Sequence, residues 1–134
     1  MTGTALNWSH QTRLEGTPTS ASAARAFVCE HLVDHRLLYL VDPVRLVASE
    51  LATNALVHAQ TAFTVTLSQA NETVMLTVRD DSDEAPVRGP HQVMHADGRG
   101  LNIVALVSLD WGFSVDDGSK TVWACFATRE ARYG

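Results

Sequence analysis

Three polar side chains recur at every fourth position of a mostly apolar segment, residues 46–59 (LVASELATNALVHA). They are Glu50, Asn54 and His58. In a helix, with about 100° between successive residues, the three lie on one strip beside the apolar stripe and away from the solvated face. Because a carboxylate or an amide held against apolar surface is costly without a partner, the spacing predicts a helix that lines a pocket, where a ligand, metal or water is that partner. The open alternative is that Glu50 reaches water at the edge of the stripe.

A further carboxylate closes a strand pattern. Val74, Leu76 and Val78 lie on one face of a predicted strand, and Asp80 continues that face. Such an aspartate is either a cap for the turn that leaves the strand or a carboxylate presented into a pocket. This segment alone favours the cap.

A long aperiodic segment and two glycines follow Asp80. Residues 81–97 are polar and interrupted by proline and glycine, which is typical of a functional lid or of a disordered loop. Gly98, Arg99 and Gly100 then precede an apolar helix that begins at Leu101. A glycine-rich approach to a helix N-terminus favours phosphate binding through backbone N–H groups and the helix dipole, although Gly-x-Gly also occurs often by chance.

The remaining periodicities predict the elements that position these groups. Apolar and polar alternation predicts strands, helical spacing predicts helices, and Thr17-Pro18 and Asp42-Pro43 are helix-start signals. The predicted order is a strand at 5–15, helices at 18–35 and 43–59, strands at 63–68 and 74–80, the lid at 81–97, a helix at 101–109, and strands at 111–115 and 121–127. This order predicts an α+β fold, a two-layer α/β sandwich. Its mixed, mostly antiparallel sheet of about five strands is covered on one face by three helices.

Length and charge exclude several classes of protein. At 134 residues and 46% hydrophobic content, the sequence predicts one globular domain that spans 1–134. The net charge of −5 at pH 7 and the absence of a basic run argue against a nucleic-acid partner. No apolar run approaches about 20 residues and no secretion leader is recognisable. We therefore expect a cytoplasmic protein with no membrane segment.

The cysteines, the helical histidines and the single lysine carry weaker signals. Cys29 and Cys125 lack a metal-ligand spacing, which favours free thiols in a reducing compartment. His31 and His35 lie one helical turn apart without a third ligand, so we interpret them as a solvent-facing pair and not as a metal site. Lys120 is the only lysine among ten basic residues, and we attribute this scarcity to genome composition and not to chemistry.

Together, the helix motif, Asp80, the glycine segment and Thr121 resemble, in order and context, the GHKL ATPases, the Bergerat-fold family of gyrase, Hsp90, histidine kinases and MutL. The chain is most similar to the single-domain anti-sigma-factor serine kinases of the RsbW and SpoIIAB type, especially the short actinobacterial versions. The resemblance covers about the whole chain. It implies the histidine-kinase-like ATPase fold, with a pocket for ATP and Mg²⁺ between the sheet and the helices.

The resemblance assigns a role to each matching residue. Glu50 matches the general base, and Asn54 matches the amide whose oxygen binds Mg²⁺, while His58 belongs to the same ATP-binding helix motif. Asp80 matches the aspartate that accepts a hydrogen bond from the adenine amino group. Thr121 matches a neighbour that assists adenine binding through water.

Gly98, Arg99, Gly100 and Leu101 match the second glycine box, where the lid meets the phosphates. The chain departs from the family just after Asp80, where Asp-x-Gly-x-Gly is usual. Here residues 80–84 read Asp-Asp-Ser-Asp-Glu, without either glycine. Loss of the glycines alters the approach of the backbone, and added carboxylates repel phosphates, so we expect weaker ATP binding unless the lid holds those carboxylates in solvent.

The resemblance implies a partner-switching regulator of transcription. Such a protein sequesters a sigma factor and, with ATP and Mg²⁺, phosphorylates a serine of an anti-anti-sigma (STAS-type) protein, which makes it a protein serine/threonine kinase. Homodimers are usual among the resembled proteins. The alternative function is a regulatory binding module that keeps ATP as a non-catalytic ligand or works without a nucleotide.

Overall fold

The structure, a computed structural model, describes residues 6–58, 61–81 and 99–128. In chain order its elements are β1 (Trp8–Leu14), α1 (Thr19–Asp34), a short 3-10 turn (Leu38–Leu40), α2 (Val41–His58), β2 (Phe63–Ala70), β3 (Thr73–Asp80), α3 (Arg99–Val107), β4 (Asp110–Asp116) and β5 (Ser119–Ala127). The predicted order of strands and helices is confirmed. The 3-10 turn was not predicted, and α3 begins and ends two residues earlier than predicted. Within the predicted lid, only Asp81 belongs to the described residues.

The five strands form one sheet in the order β1-β2-β3-β5-β4. Every pairing is antiparallel, so the α+β prediction is confirmed with a sheet that is antiparallel throughout and not mixed. Tight turns join β2 to β3 and β4 to β5. Asn71 and Gly118 in these turns adopt left-handed backbone angles, with φ of 57° and 71°, a conformation that asparagine tolerates and glycine adopts without strain.

One face of the sheet, which we call the inner face, packs against the helices. Its buried apolar side chains come from the three central strands. They are Phe63, Val65, Leu67, Val74, Leu76, Val78, Val122, Ala124 and Phe126. The opposite, outer face carries mostly half-exposed residues such as Thr64, Thr77 and Thr121. This alternation follows from the period of two in a strand.

Helix α2 contributes most of the helical side of the core. The apolar stripe predicted for it is confirmed, because Val44, Val47, Ala48, Leu51 and Ala55 are all at most 1% exposed. Helix α2 contacts α1, α3, β3 and β5, so it lies centrally over the inner face. No helix in the described part of the chain is both long and apolar enough to cross a lipid bilayer.

Strand β1 packs on α1 through a cluster of rings. Trp8 stacks on His35 with ring centroids 3.9 Å apart, and His10 stacks on His31 at the same distance. The Nε2 atoms of His10 and His35 lie 2.9 Å apart, so one ring donates a hydrogen bond to the other. The interpretation of His31 and His35 as a solvent-facing pair is therefore wrong, since both are half-buried against β1. Among the described residues, no group of three potential ligands is arranged to hold a metal ion.

This cluster makes the stability of the fold depend on pH. Desolvation lowers the pKa of His10 from its ordinary value, and the charges of His31 and His35 lower it further, against an opposing effect of Asp34. The unfolded chain therefore takes up a proton at a higher pH than the native state. The free energy of unfolding should decrease as the pH falls through the unfolded value of about 6.5.

We predict that His10→Phe, which keeps a ring but cannot take up a proton, loses less stability than the parent between about pH 7.5 and about pH 5.5. Urea denaturation at a series of pH values measures this difference. Asp34→Asn should steepen the dependence, because it removes the charge that raises the pKa of His10. Equal pH dependence in the parent and in His10→Phe would contradict this assignment.

Candidate functional site

Helix α2 holds two of the predicted site residues one turn apart. Glu50 is half-buried, whereas Asn54 is only 1% exposed and lies within the core. Both belong to the helix that contacts β3 and β5. The sequence pattern produces this burial, because the strip that carries Glu50 and Asn54 borders the apolar stripe of the helix.

The side-chain carbonyl of Asn54 is the least satisfied polar group of this site. Within the described part of the chain, its Oδ1 atom is buried and has no hydrogen-bond partner. An unpaired buried acceptor is unfavourable by about 1 to 3 kcal/mol. Unexplained buried polar atoms of this kind point to a ligand, ion or water that completes them.

Asp80 and Lys120 form a buried ion pair on the inner face. The two residues stand directly opposite each other in the pairing of β3 with β5. Lys120 Nζ lies 3.6 Å from Asp80 Oδ2, and both side chains are 2% exposed. On its other side, Asp80 faces the buried Phe63 of β2. Asp80 is thus a carboxylate within the core and not a cap exposed to solvent.

Lys120 is the residue that the sequence analysis missed. The scarcity of lysine does not reflect genome composition alone, because the ammonium of Lys120 lies beside the equally buried carboxylate of Asp80. The signal was present in the sequence, because Lys120 stands two residues before Val122 and therefore on the same face of the strand as Val122, Ala124 and Phe126, the inner-face residues of β5. A lysine in register with a buried strand face needs an acidic partner on the neighbouring strand.

Thr121 does not join Asp80. It stands opposite Arg79 in the strand pairing, and therefore on the outer face, whereas Asp80 points to the inner face. The register thus places Thr121 away from Asp80, and its predicted role in adenine binding stays a prediction. The physical reason is the alternation of side chains along a strand, which assigns the position beside Asp80 to Lys120, one residue earlier.

The other predicted residues lie at the limits of the described structure. Gly98 falls outside the described residues, and Arg99, Gly100 and Leu101 form the backbone of the first turn of α3. His58 is the last residue of α2. The contact between α2 and α3 brings these two helices together, while the phosphate-binding roles of the glycine segment and the role of His58 stay predictions.

The donor groups fit one end of an Mg²⁺–nucleotide complex better than the other. Mg²⁺ prefers hard oxygen ligands, and the buried Oδ1 of Asn54 is an oxygen that needs a partner. An adenine amino group needs an acceptor, and the carboxylate of Asp80 already has an ammonium group 3.6 Å away. The metal end therefore fits the residues present, whereas at the base end an adenine amino group would compete with Lys120 for the carboxylate.

A separate groove lies on α1 and α2. It has a volume of about 480 Å³ and is lined by Arg25, Asp42, Arg45, Leu46 and Ser49. Arg25 donates a hydrogen bond to Ser49 across it, at 3.1 Å. None of the predicted site residues lines this groove.

Comparisons with known proteins bear on the fold. No protein-family model and no curated protein matches the sequence. Among solved structures, the chain is similar to the crystal structure of the RsbU and RsbW domains of Rv1364c from Mycobacterium tuberculosis, with a TM-score of 0.67 and 18% sequence identity. The similarity covers 90% of this chain and 32% of that chain. The α+β fold is therefore shared with a structure that contains an RsbW domain.

We predict that Asn54→Leu keeps or raises the free energy of unfolding, by about 1 kcal/mol, because it replaces an unpaired buried acceptor with an apolar group of similar size. Thr53→Leu is the matched control for helix propensity, since it changes a half-buried polar neighbour in the same helix. Thermal and urea denaturation measure both variants. A loss of stability in Asn54→Leu alone would mean that Asn54 Oδ1 makes a stabilising interaction in the fold.

Proposed function

We propose that this chain is a partner-switching regulator of the anti-sigma type. In this role it sequesters a sigma factor and releases it when an anti-anti-sigma (STAS-type) protein competes for the regulator. The proposal is supported by the fold shared with a structure that contains an RsbW domain and by the motifs of α2 and β3 in the sequence.

We further propose that the regulator phosphorylates a serine of the anti-anti-sigma protein. The observation that carries this proposal is the buried Oδ1 of Asn54, which has no hydrogen-bond partner in the described part of the chain and lies one turn from Glu50. Bound ATP with Mg²⁺ would supply the phosphoryl group. Asn54 Oδ1 would hold the metal. Glu50 would accept the proton that the serine hydroxyl loses as its oxygen bonds to the γ-phosphorus, whose bond to the leaving ADP would break. Phosphoryl transfer needs mainly such positioning and charge neutralisation.

A regulatory module that works without a nucleotide is the second candidate. It is favoured by the closed Asp80–Lys120 ion pair, which satisfies the carboxylate without adenine. In this candidate, partner exchange depends on competition for one surface and not on phosphorylation. Both candidates predict binding to the same two classes of protein partner.

Partner exchange is tested with the purified chain and the sigma and anti-anti-sigma proteins encoded in the same genome. Size-exclusion chromatography of the mixtures should show a complex of the chain with a sigma factor. Addition of the anti-anti-sigma protein should dissociate this complex. Failure of the folded chain to bind any of these proteins would contradict the proposed function in both forms.

We predict that Glu50→Gln still binds ATP while phosphoryl transfer to the anti-anti-sigma protein falls by about 10²-fold or more, because an amide cannot accept the serine proton. Transfer of labelled phosphate and ATP titration measure the two effects. The matched control is Glu30→Gln on the exposed side of α1, which should transfer phosphate at the parent rate. An unchanged rate in Glu50→Gln would remove Glu50 from the catalytic role.

Asn54→Leu distinguishes the loss of a metal ligand from the loss of a contact with adenine. Because Asn54 is proposed to hold Mg²⁺, we predict that this variant loses ATP affinity mainly when Mg²⁺ is present, with little change in EDTA. Calorimetric titration under the two conditions measures the difference. Equal losses with and without Mg²⁺ would exclude a metal-binding role for Asn54.

A further inference from the structure

At the base end of the proposed nucleotide site, the carboxylate of Asp80 is already paired with the ammonium group of Lys120. Lys120 and Asp80 lie opposite each other on β5 and β3, with Nζ 3.6 Å from Oδ2 and both side chains 2% exposed. An ammonium group beside a carboxylate supplies the kind of donor that an adenine amino group would supply. Because the ammonium carries a full charge, its interaction with the carboxylate is stronger than that of a neutral amino group.

A buried ion pair of this kind is not needed to hold two strands together. Apolar pairs of similar volume often stabilise a core as well or better, because burying two charges carries a large desolvation penalty. The neighbouring inner-face pairs, Val78 with Val122 and Leu76 with Ala124, are apolar. Asp80 and Lys120 thus form a charged pair at the end of an otherwise apolar ladder, where the predicted lid begins.

We infer that Lys120 determines nucleotide affinity at this site by occupying the carboxylate that would otherwise bind the base. This inference rests on the proposed function, because it concerns the same site. In the resting domain Lys120 keeps the base end closed. Binding of ATP requires the Lys120 side chain to leave Asp80, so part of the binding free energy is spent on separating a buried ion pair.

Replacing Lys120 tests the inference directly. Lys120→Thr removes the ammonium, leaves space beside Asp80 and keeps a hydroxyl that can donate a hydrogen bond to the carboxylate. Calorimetric titration with ATP and Mg²⁺ should show binding at least about tenfold tighter than in the parent. The matched control is Arg79→Thr, which makes the same change in net charge at the neighbouring, exposed position of β3 and should not tighten binding.

The alternative outcomes separate the inference from the proposed function. ATP binding in Lys120→Thr that equals or falls below that of the parent would overturn the inference, and a weaker affinity would identify Lys120 as a direct donor to the base. If neither the parent nor folded Lys120→Thr binds ATP, the inference is wrong. The proposed function is then judged separately, by the binding of the sigma and anti-anti-sigma proteins to the same preparations.

A measurement on the parent protein covers the case in which Lys120→Thr does not fold. Lys120 is the only lysine of the chain, so acylation of its amine can be followed by mass spectrometry without interference from other lysines. The inference predicts slow acylation in the folded parent and faster acylation when ATP and Mg²⁺ draw Lys120 away from Asp80. The folded variant Arg36→Lys supplies an exposed reference amine. Acylation of Lys120 at the reference rate, or a rate that ATP leaves unchanged at saturating concentration, would overturn the inference.

Discussion

The buried ion pair of Asp80 with Lys120 constrains how β3 and β5 can pair. A shift of the register by one residue would move one charge to the outer face and leave the other buried alone, which is strongly unfavourable. The observed register also directs Val78, Leu76 and their partners on β5 into the core. The same pair thus helps to specify the sheet and fills the position at which a base-binding carboxylate would act.

Helix α2 shows the opposite arrangement, in which a buried polar group has no hydrogen-bond partner among the residues that the structure describes. Its apolar stripe anchors it over the inner face, and this packing holds Asn54 in the core. The two ends of the proposed site therefore differ in their electrostatics. The base end is satisfied by Lys120, whereas the metal end is not satisfied by the described residues. A bound Mg²⁺–nucleotide would complete the oxygen of Asn54 at one end, and its base would compete with Lys120 for Asp80 at the other end.

Periodicity predicted most of the fold, and long-range pairing explains what it missed. The strands, the helices and the buried stripe of α2 follow from local patterns that a single sequence displays. The partner of Asp80 could not be predicted in this way, because β3 and β5 are far apart in the sequence. A shift of one residue in their pairing would place Thr121 opposite Asp80 instead of Lys120. The ring cluster was missed for the same reason, since His10 lies far in sequence from His31 and His35.

The Lys120 ammonium offers a direct measurement of whether the ion pair with Asp80 is closed in solution. Selective isotope labelling of the lysine nitrogen gives a single side-chain signal in a nuclear magnetic resonance spectrum, because the chain has one lysine. Near neutral pH and room temperature, the ammonium signal of an exposed lysine is lost through exchange with water, whereas a buried, ion-paired ammonium stays visible. A closed Asp80–Lys120 pair should give a visible signal in the nucleotide-free domain, and this signal should shift or disappear when ATP and Mg²⁺ are added. Absence of the signal in the folded, nucleotide-free protein would show that Lys120 is not held in a buried ion pair.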